Sequence, residues 1–330
     1  MSAIPVALSC LDYDRVRALA TGEVQPAGID LAFVANPPDE SIWRMAENAE
    51  FDAAEMTFAT FLRLHARGAD VIGLPIFPVR CFPHGGIFVH ASSGIREPRD
   101  LEGLRVAAGE YRMSIAVWAR GILEEDHGVD LRTIEWCTAR AEQDLDPEGM
   151  RVTLLPPGPP LAERLLAGEV DALVVPRVPP LLAGDNPAVT RLFPLPRHVE
   201  AQYFARTGVF PILHLVVLRR SLYERHPWVA SSLYRAFEAA KESCYRELDQ
   251  SMEGLRVTVP WLEHHLGEVR ELMSADYWPY GLEQNRQAVD TFCRYAFEQD
   301  VVSQRFSPDE LFAPNAADRP VASTRALIGG

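Results

Sequence analysis

Asn48-Ala49-Glu50-Phe51-Asp52-Ala53-Ala54-Glu55 and Ala167-Gly168-Glu169-Val170-Asp171-Ala172-Leu173-Val174 are one phrase written twice. Each follows apolar residues at helical spacing, Ile42, Met45 and Ala46 before the first and Leu161, Leu165 and Leu166 before the second. Each then turns through a small or acidic pair into a short apolar run, which reads as helix, tight turn, buried strand. A repeated αβ unit points to two similar α/β lobes. Ligands of open α/β sheets bind outside the carboxyl ends of the strands, so a cleft between the lobes is the expected site. The residues to question are those at the two strand ends: Glu55, Met56 and Thr57 in one lobe, Pro176 and Arg177 in the other.

A chain of 330 residues with 48% hydrophobic and 24% charged residues has the makeup of a globular protein and exceeds one comfortable core. The formal charge of -14 argues against nucleic acid or an anionic membrane as partner, both of which require a basic surface. Lys241 is the only lysine. It lies mid-pattern in a predicted helix from Trp228 to Leu248, beside solvent-type residues, which disfavours a pyridoxal phosphate Schiff base. Cys10, Cys81, Cys137, Cys244 and Cys293 are odd in number and scattered, as expected of free thiols in a reducing compartment. Met1 to Tyr13 has neither a basic nor an apolar leader segment, and the expectation is a cytoplasmic protein.

Along the chain, Ile4–Leu8 reads as a first strand with Leu11-Asp12-Tyr13-Asp14-Arg15 at its carboxyl end. Gly28–Val34 and Val71–Pro78 read as further strands, followed by a proline- and glycine-fixed loop, Val79–Gly86, and a strand resuming at Gly86–His90. A crossover near residue 95 is expected to lead into a second lobe of residues 96–205, with residues 1–95 and 206–330 forming the first. Ser114 is placed to cap a helix bearing Ile115, Trp118 and Ile122 and stopping at Gly128. Phe210–Leu218 is an apolar run interrupted by His214, the expected return strand.

Cationic groups at predicted strand ends are Arg80, Arg112, Arg177, His84 and His214. Arginines held there could receive carboxylates through paired charge-assisted bonds, and three converging would select a dianion. Arg15, Arg96 and Arg99 read as surface or ion-paired arginines. His214 is either a satisfied core histidine or a group facing the cleft, since burial penalises an unpaired imidazole. No HxxxH or HExxH spacing, dinucleotide or P-loop fingerprint or GxSxG elbow occurs, so no metal site is expected.

Read together, these segments resemble the 4,5-dihydroxyphthalate decarboxylase family, within the type II periplasmic-binding-protein fold. The resemblance runs from about Pro5 to Pro314. It rests on Leu11–Arg15, Phe51-Asp52-Ala53-Ala54-Glu55-Met56, Phe77–His84, Gly109-Glu110-Tyr111-Arg112-Met113 and Trp118-Ala119-Arg120-Gly121. Further along come Pro176-Arg177, Arg206–His214, Glu310–Pro314 and the long aromatic phrase Asp276-Tyr277-Trp278-Pro279-Tyr280-Gly281-Leu282-Glu283-Gln284-Asn285-Arg286. Val79, Cys81, Pro83 and Gly85 depart from the polar or aromatic residues usual in the family, and Arg112 stands where an amide is common. The implied architecture is α/β and two-lobed, each lobe a mixed sheet flanked by helices, with the cleft between them.

The resemblance implies cofactor-independent decarboxylation of a small aromatic di-acid, 4,5-dihydroxyphthalate, to protocatechuate. Arg112 and Arg177 of the second lobe and Arg80 would hold the carboxylates, with Tyr111 beside Arg112. His214 or His84 would donate the proton, and Glu55, or Asp12 with Tyr13, would address the hydroxyl edge. The competing class is a non-catalytic solute-binding protein of the same fold, and a third is another lyase acting on an aromatic acid. The absent leader favours an enzyme. Aromatic residues near Trp278 and Tyr280 suit either a homo-oligomer interface or core packing.

Overall fold

In a computed structural model of the chain, residues 3–184, 186–253 and 258–317 are described. Among the described residues eleven strands form two sheets. The first contains β1 (Ile4–Cys10), β2 (Ile29–Ala35), β3 (Ala53–Thr57), β4 (Ile72–Arg80) and β11 (Ile212–Leu218), in the order β2-β1-β3-β11-β4. The second contains β5 (Ile87–His90), β6 (Arg105–Ala108), β7 (Glu135–Thr138), β8 (Arg151–Leu154), β9 (Ala172–Val174) and β10 (Val189–Arg191), in the order β10-β5-β9-β6-β7-β8. Both sheets are mixed and flanked by helices, giving the two-lobed α/β architecture expected.

The repeated phrase builds equivalent strands. The strand β3 pairs parallel with β1 and antiparallel with β11, and β9 pairs parallel with β6 and antiparallel with β5. The helices before them, Pro38–Asn48 and Leu161–Leu166, are followed by left-handed residues at matching places in the phrase, Ala49 (φ 47°) and Gly168 (φ 70°). Glycine occupies that conformation freely, whereas alanine is strained by its Cβ. The two aspartates make the same bonds. Asp52 accepts from the Ala7 N–H and donates its own N–H to the Ala7 carbonyl, and Asp171 does the same with Arg105. Each aspartate therefore pins its strand to the parallel neighbour, which is why the phrase recurs.

The chain crosses between sheets earlier than expected. The strand β4 ends at Arg80 in the first sheet and β5 already pairs in the second, so the passage lies within 81–86 rather than near residue 95. The physical reason is the short helical turn His84–Gly86, where the Gly86 carbonyl accepts from the Val175 N–H and a Cβ on Gly86 would collide with the Val175 carbonyl.

The helix Ser114–His127 joins the two cores. Its first ten residues, Ser114 to Leu123, are all buried, the signature of a helix enclosed on every side. Ile115, Val117, Trp118 and Ile122 pack into the first lobe's core, and Ala119 and Leu123 into that of the second. The Trp118 Nε1–H donates to the Ile212 carbonyl at 2.9 Å, and Gly121 lies so close to the Tyr295 ring that a Cβ there would overlap it. Ser114 does not cap its own helix: Met113 is the cap residue, and the Ser114 Oγ accepts from the Ala59 N–H in the first turn of the helix Phe58–Ala66. Lys241 is buried rather than solvent-facing, with Nζ bonded to Asp276 and the Trp278 carbonyl. Among the described residues no helix is long and apolar enough to cross a membrane.

Candidate active site

The strand β3 is buried on both faces, which encloses Glu55 completely, and the antiparallel pairing with β11 brings His214 opposite Thr57, two residues on. Glu55 Oε1 accepts from His214 Nδ1 at 2.5 Å and from the Tyr13 hydroxyl at 2.8 Å. Oε2 accepts from the Leu11 N–H at 3.2 Å and faces the Cys10 thiol at 3.5 Å. Burial by itself would raise the Glu55 pKa, but the bonds from His214, Tyr13 and the Leu11 N–H outweigh it and hold the carboxyl below its ordinary value. A carboxylate so clothed fixes its donors. The bond to Nδ1 sets the imidazole so that Nε2 is turned away from Glu55, and the side chain retains 14% exposure. This is the carboxylate–imidazole arrangement that orients a histidine for proton transfer. Tyr13 is itself held protonated, its pKa raised by burial and then by the neighbouring Glu55.

Arg15, read from sequence as a surface or ion-paired arginine, does pair with Asp14 at 3.0 Å and belongs to the same neighbourhood. Its guanidinium lies 4.4 Å from the ring centroids of both Tyr13 and Trp278, and its Nε and Nη2 donate to the Pro78 carbonyl. Stacking on both faces is characteristic of arginine. The signal available in the sequence was the Tyr13-Asp14-Arg15 spacing together with Trp278, whose ring packs 5.2 Å from Phe210 at 85°.

The other expected site residues do not join this group. Arg80 is buried, with Nη1 donating to the Phe210 carbonyl and Nη2 to the Pro279 carbonyl and the Asn285 Oδ1. Burial lowers its pKa to about 9, and the guanidinium braces two chain segments instead of awaiting a carboxylate. Tyr111 is a core residue: its hydroxyl donates to the Gln299 carbonyl and its ring stacks on Arg120 at 3.8 Å. Arg112 donates through both Nη atoms to the carbonyls of Gln143 and Asp144. Arg177 is exposed and has no hydrogen-bond or ion-pair partner among the described residues. Asp12 is exposed and pairs with Arg17 at 3.5 Å. The convergence of Arg80, Arg112 and Arg177 on one anion is therefore absent, because two of the three are committed to main-chain carbonyls.

His84 is 1% exposed, and neither ring nitrogen has a partner. It packs between Phe193 and Tyr203, at centroid distances of 5.2 and 5.5 Å. Burial, with His127 and Arg206 adding to it, lowers its pKa to about 4. A neutral imidazole enclosed by rings is a poor proton donor. Tyr280 is 2% exposed within the first lobe's core, and the half-buried Trp278 packs against that core with its indole N–H donating to the Phe77 carbonyl. Among the described residues no group of three or more His, Cys, Asp or Glu side chains could hold a metal ion.

Similarity searches place the chain beside enzymes by sequence and beside binding proteins by shape. A 4,5-dihydroxyphthalate decarboxylase of Comamonas testosteroni is 33% identical, over 95% of this chain and 98% of its own length. One of Pseudomonas putida is 30% identical over 62% of this chain and 83% of its own length. No family model matches the chain. Among solved structures, the periplasmic aliphatic sulphonate binding protein SsuA of Escherichia coli superposes with a TM-score of 0.56 at 15% identity, covering 96% of this chain and 99% of its own. The alkanesulfonate-binding SsuA of Xanthomonas axonopodis pv. citri gives 0.51 at 15% identity, covering 95% and 98%. The structural likeness concerns the fold, which is that of the periplasmic binding proteins.

Proposed function

The chain belongs to the 4,5-dihydroxyphthalate decarboxylase family, and from that premise we propose that it is a carboxy-lyase converting 4,5-dihydroxyphthalate to protocatechuate, with His214 as the proton donor. The observation that carries the assignment of His214 is its bond to the buried Glu55 carboxylate, which leaves Nε2 as the imidazole atom available to a ligand.

In this substrate each carboxylate is para to a hydroxyl. The protonated imidazole delivers the Nε2 proton to the ring carbon bearing one carboxylate, while the para oxygen releases electron density into the ring. The bond to the carboxyl carbon then breaks, its electron pair restores aromaticity, and carbon dioxide leaves. One proton is consumed per turnover, and the imidazole regains it from solvent. Glu55 stabilises the imidazolium and positions it without touching substrate, and a placed acid of this kind contributes roughly 100- to 10,000-fold. Arg15, carried on the Tyr13 ring, supplies positive charge beside the site. The proposal includes a cytoplasmic location, supported by five free cysteines, which suit a reducing compartment.

The test is incubation of the purified protein with 4,5-dihydroxyphthalate, following carbon dioxide and protocatechuate together. Stoichiometric release of both is expected. Saturable binding without either product would instead make the protein a capture protein for aromatic di-acids.

A further inference from the structure

The helix Phe58–Ala66 leads away from the Glu55–His214 pair, starting immediately after β3. At 1.5 Å rise per residue, Arg63 lies about 9 Å and Arg67 about 15 Å beyond Thr57 along that direction. Here, against the loop bearing Arg112 and the segment Asp300–Ser303, is a pocket of about 390 Å³ lined by Arg63, Arg67, Arg112 and Asp144. That volume falls within the range of small-molecule sites.

Three guanidiniums share this space, and their partners are unequal. Arg67 meets Asp144 only at 4.0 Å. Arg112 is held in place by the carbonyls of Gln143 and Asp144, and its Nε is buried without a partner. Arg63 is half-buried, and its side chain makes no hydrogen bond or ion pair among the described residues. Burial, then Arg112 and Arg67, lower the Arg63 pKa, with Glu142 and Glu110 opposing. Glu142 accepts from the N–H groups of Tyr111 and Arg112 and Glu110 from Arg140, while Asp300, which also lines the pocket, accepts from the Glu148 N–H. A desolvated guanidinium beside two like charges is satisfied by an anion with paired oxygens.

We propose that the pocket among Arg63, Arg67 and Arg112 binds a compact dianion, of the phosphate or vicinal dicarboxylate kind, at a site distinct from the Glu55–His214 pair. Arg63 is its principal donor, and Arg112, fixed by two carbonyls, forms a wall of positive charge. The site goes beyond the decarboxylase reading and does not depend on it.

Calorimetric titration with inorganic phosphate and, separately, with phthalate tests the proposal on wild-type protein, Arg63→Gln, Ser303→Glu and His214→Gln. At least one anion binds the wild type, and which of them binds tells an oxyanion seat from a dicarboxylate seat. Binding weakens at least tenfold in R63Q and S303E, the latter placing a carboxylate in the pocket, and persists in H214Q whose substrate site is saturated with 4,5-dihydroxyphthalate. The KM for 4,5-dihydroxyphthalate stays within twofold in R63Q. Absence of binding of both anions to the wild type, or equal affinity in wild type and R63Q, overturns the site. A KM that rises in parallel with the phosphate dissociation constant overturns its separateness, since the pocket would then belong to the substrate.

Discussion

Glu55 and His214 lie 159 residues apart in the chain and 2.5 Å apart in the structure, joined across the antiparallel pair β3 and β11. The carboxylate also receives the Tyr13 hydroxyl and the Leu11 N–H, so the group that aims the imidazole is fixed from three directions.

Replacing His214 with Gln keeps the side chain's approximate length and a donor toward Glu55 while removing the transferable proton. We expect turnover to fall roughly 100- to 10,000-fold while 4,5-dihydroxyphthalate still binds within a fewfold of wild type. Unchanged turnover would end the donor assignment. Single-turnover release of carbon dioxide beside equilibrium binding separates the two.

Glu55→Gln removes the charge that orients and stabilises the imidazolium, and kcat should drop with little change in KM. Stability supplies a second readout. The folded-state pKa of Glu55 is depressed, so its contribution is fully present above the ordinary glutamate value of about 4.3 and is lost as pH falls toward the folded value. Denaturant midpoints should therefore fall less steeply below about pH 4 in E55Q than in wild type.

His84 shifts stability in the same direction for a different reason, as its charged form is the one the fold rejects. Between about pH 6.5, where an unfolded histidine gains its proton, and the folded value near 4, the unfolded chain binds more protons, and acidification costs up to about 1.4 kcal/mol per pH unit. His84→Leu should flatten that interval. At pH 7 it should be neutral or stabilising, because it removes two unpartnered buried nitrogens, each a desolvation cost. A steep fall in pH 7 stability would show that His84 has a partner.

Arg80→Met separates a brace from a ligand. The Phe210 carbonyl and the Asn285 Oδ1 lose their donor, while the Pro279 carbonyl keeps the Asn285 amide, at about 1 to 3 kcal/mol for each left unsatisfied. Thermal unfolding should shift down accordingly. A stable variant with a KM raised a hundredfold would restore Arg80 to the substrate site.

The fold was legible in the chain because the echo carries its own bonds: Asp52 and Asp171 each fasten a strand to its parallel neighbour, and the turns at Ala49 and Gly168 share one backbone conformation. His214 stood out because a histidine within an apolar strand needs a partner, and Glu55 because it sits in the echoed strand. The arginines misled. At a strand end a guanidinium can face ligand or main chain, and the carbonyls that captured Arg80 and Arg112 come from segments 130 and 31 residues away. Sequence pattern does not encode those meetings. The pairing of Arg15 with Asp14 is local and legible, but its stacking on Trp278 is not, since that ring is contributed by the other end of the chain.

The helix Ser114–His127 has a consequence for how the molecule comes apart. Because one buried helix feeds both hydrophobic cores, neither sheet can shed its water-excluding contacts while the other keeps all of its own. Melting should accordingly be a single cooperative transition, with calorimetric and van't Hoff enthalpies in agreement, and a bulky replacement at Gly121 should lower it as a whole instead of splitting it in two.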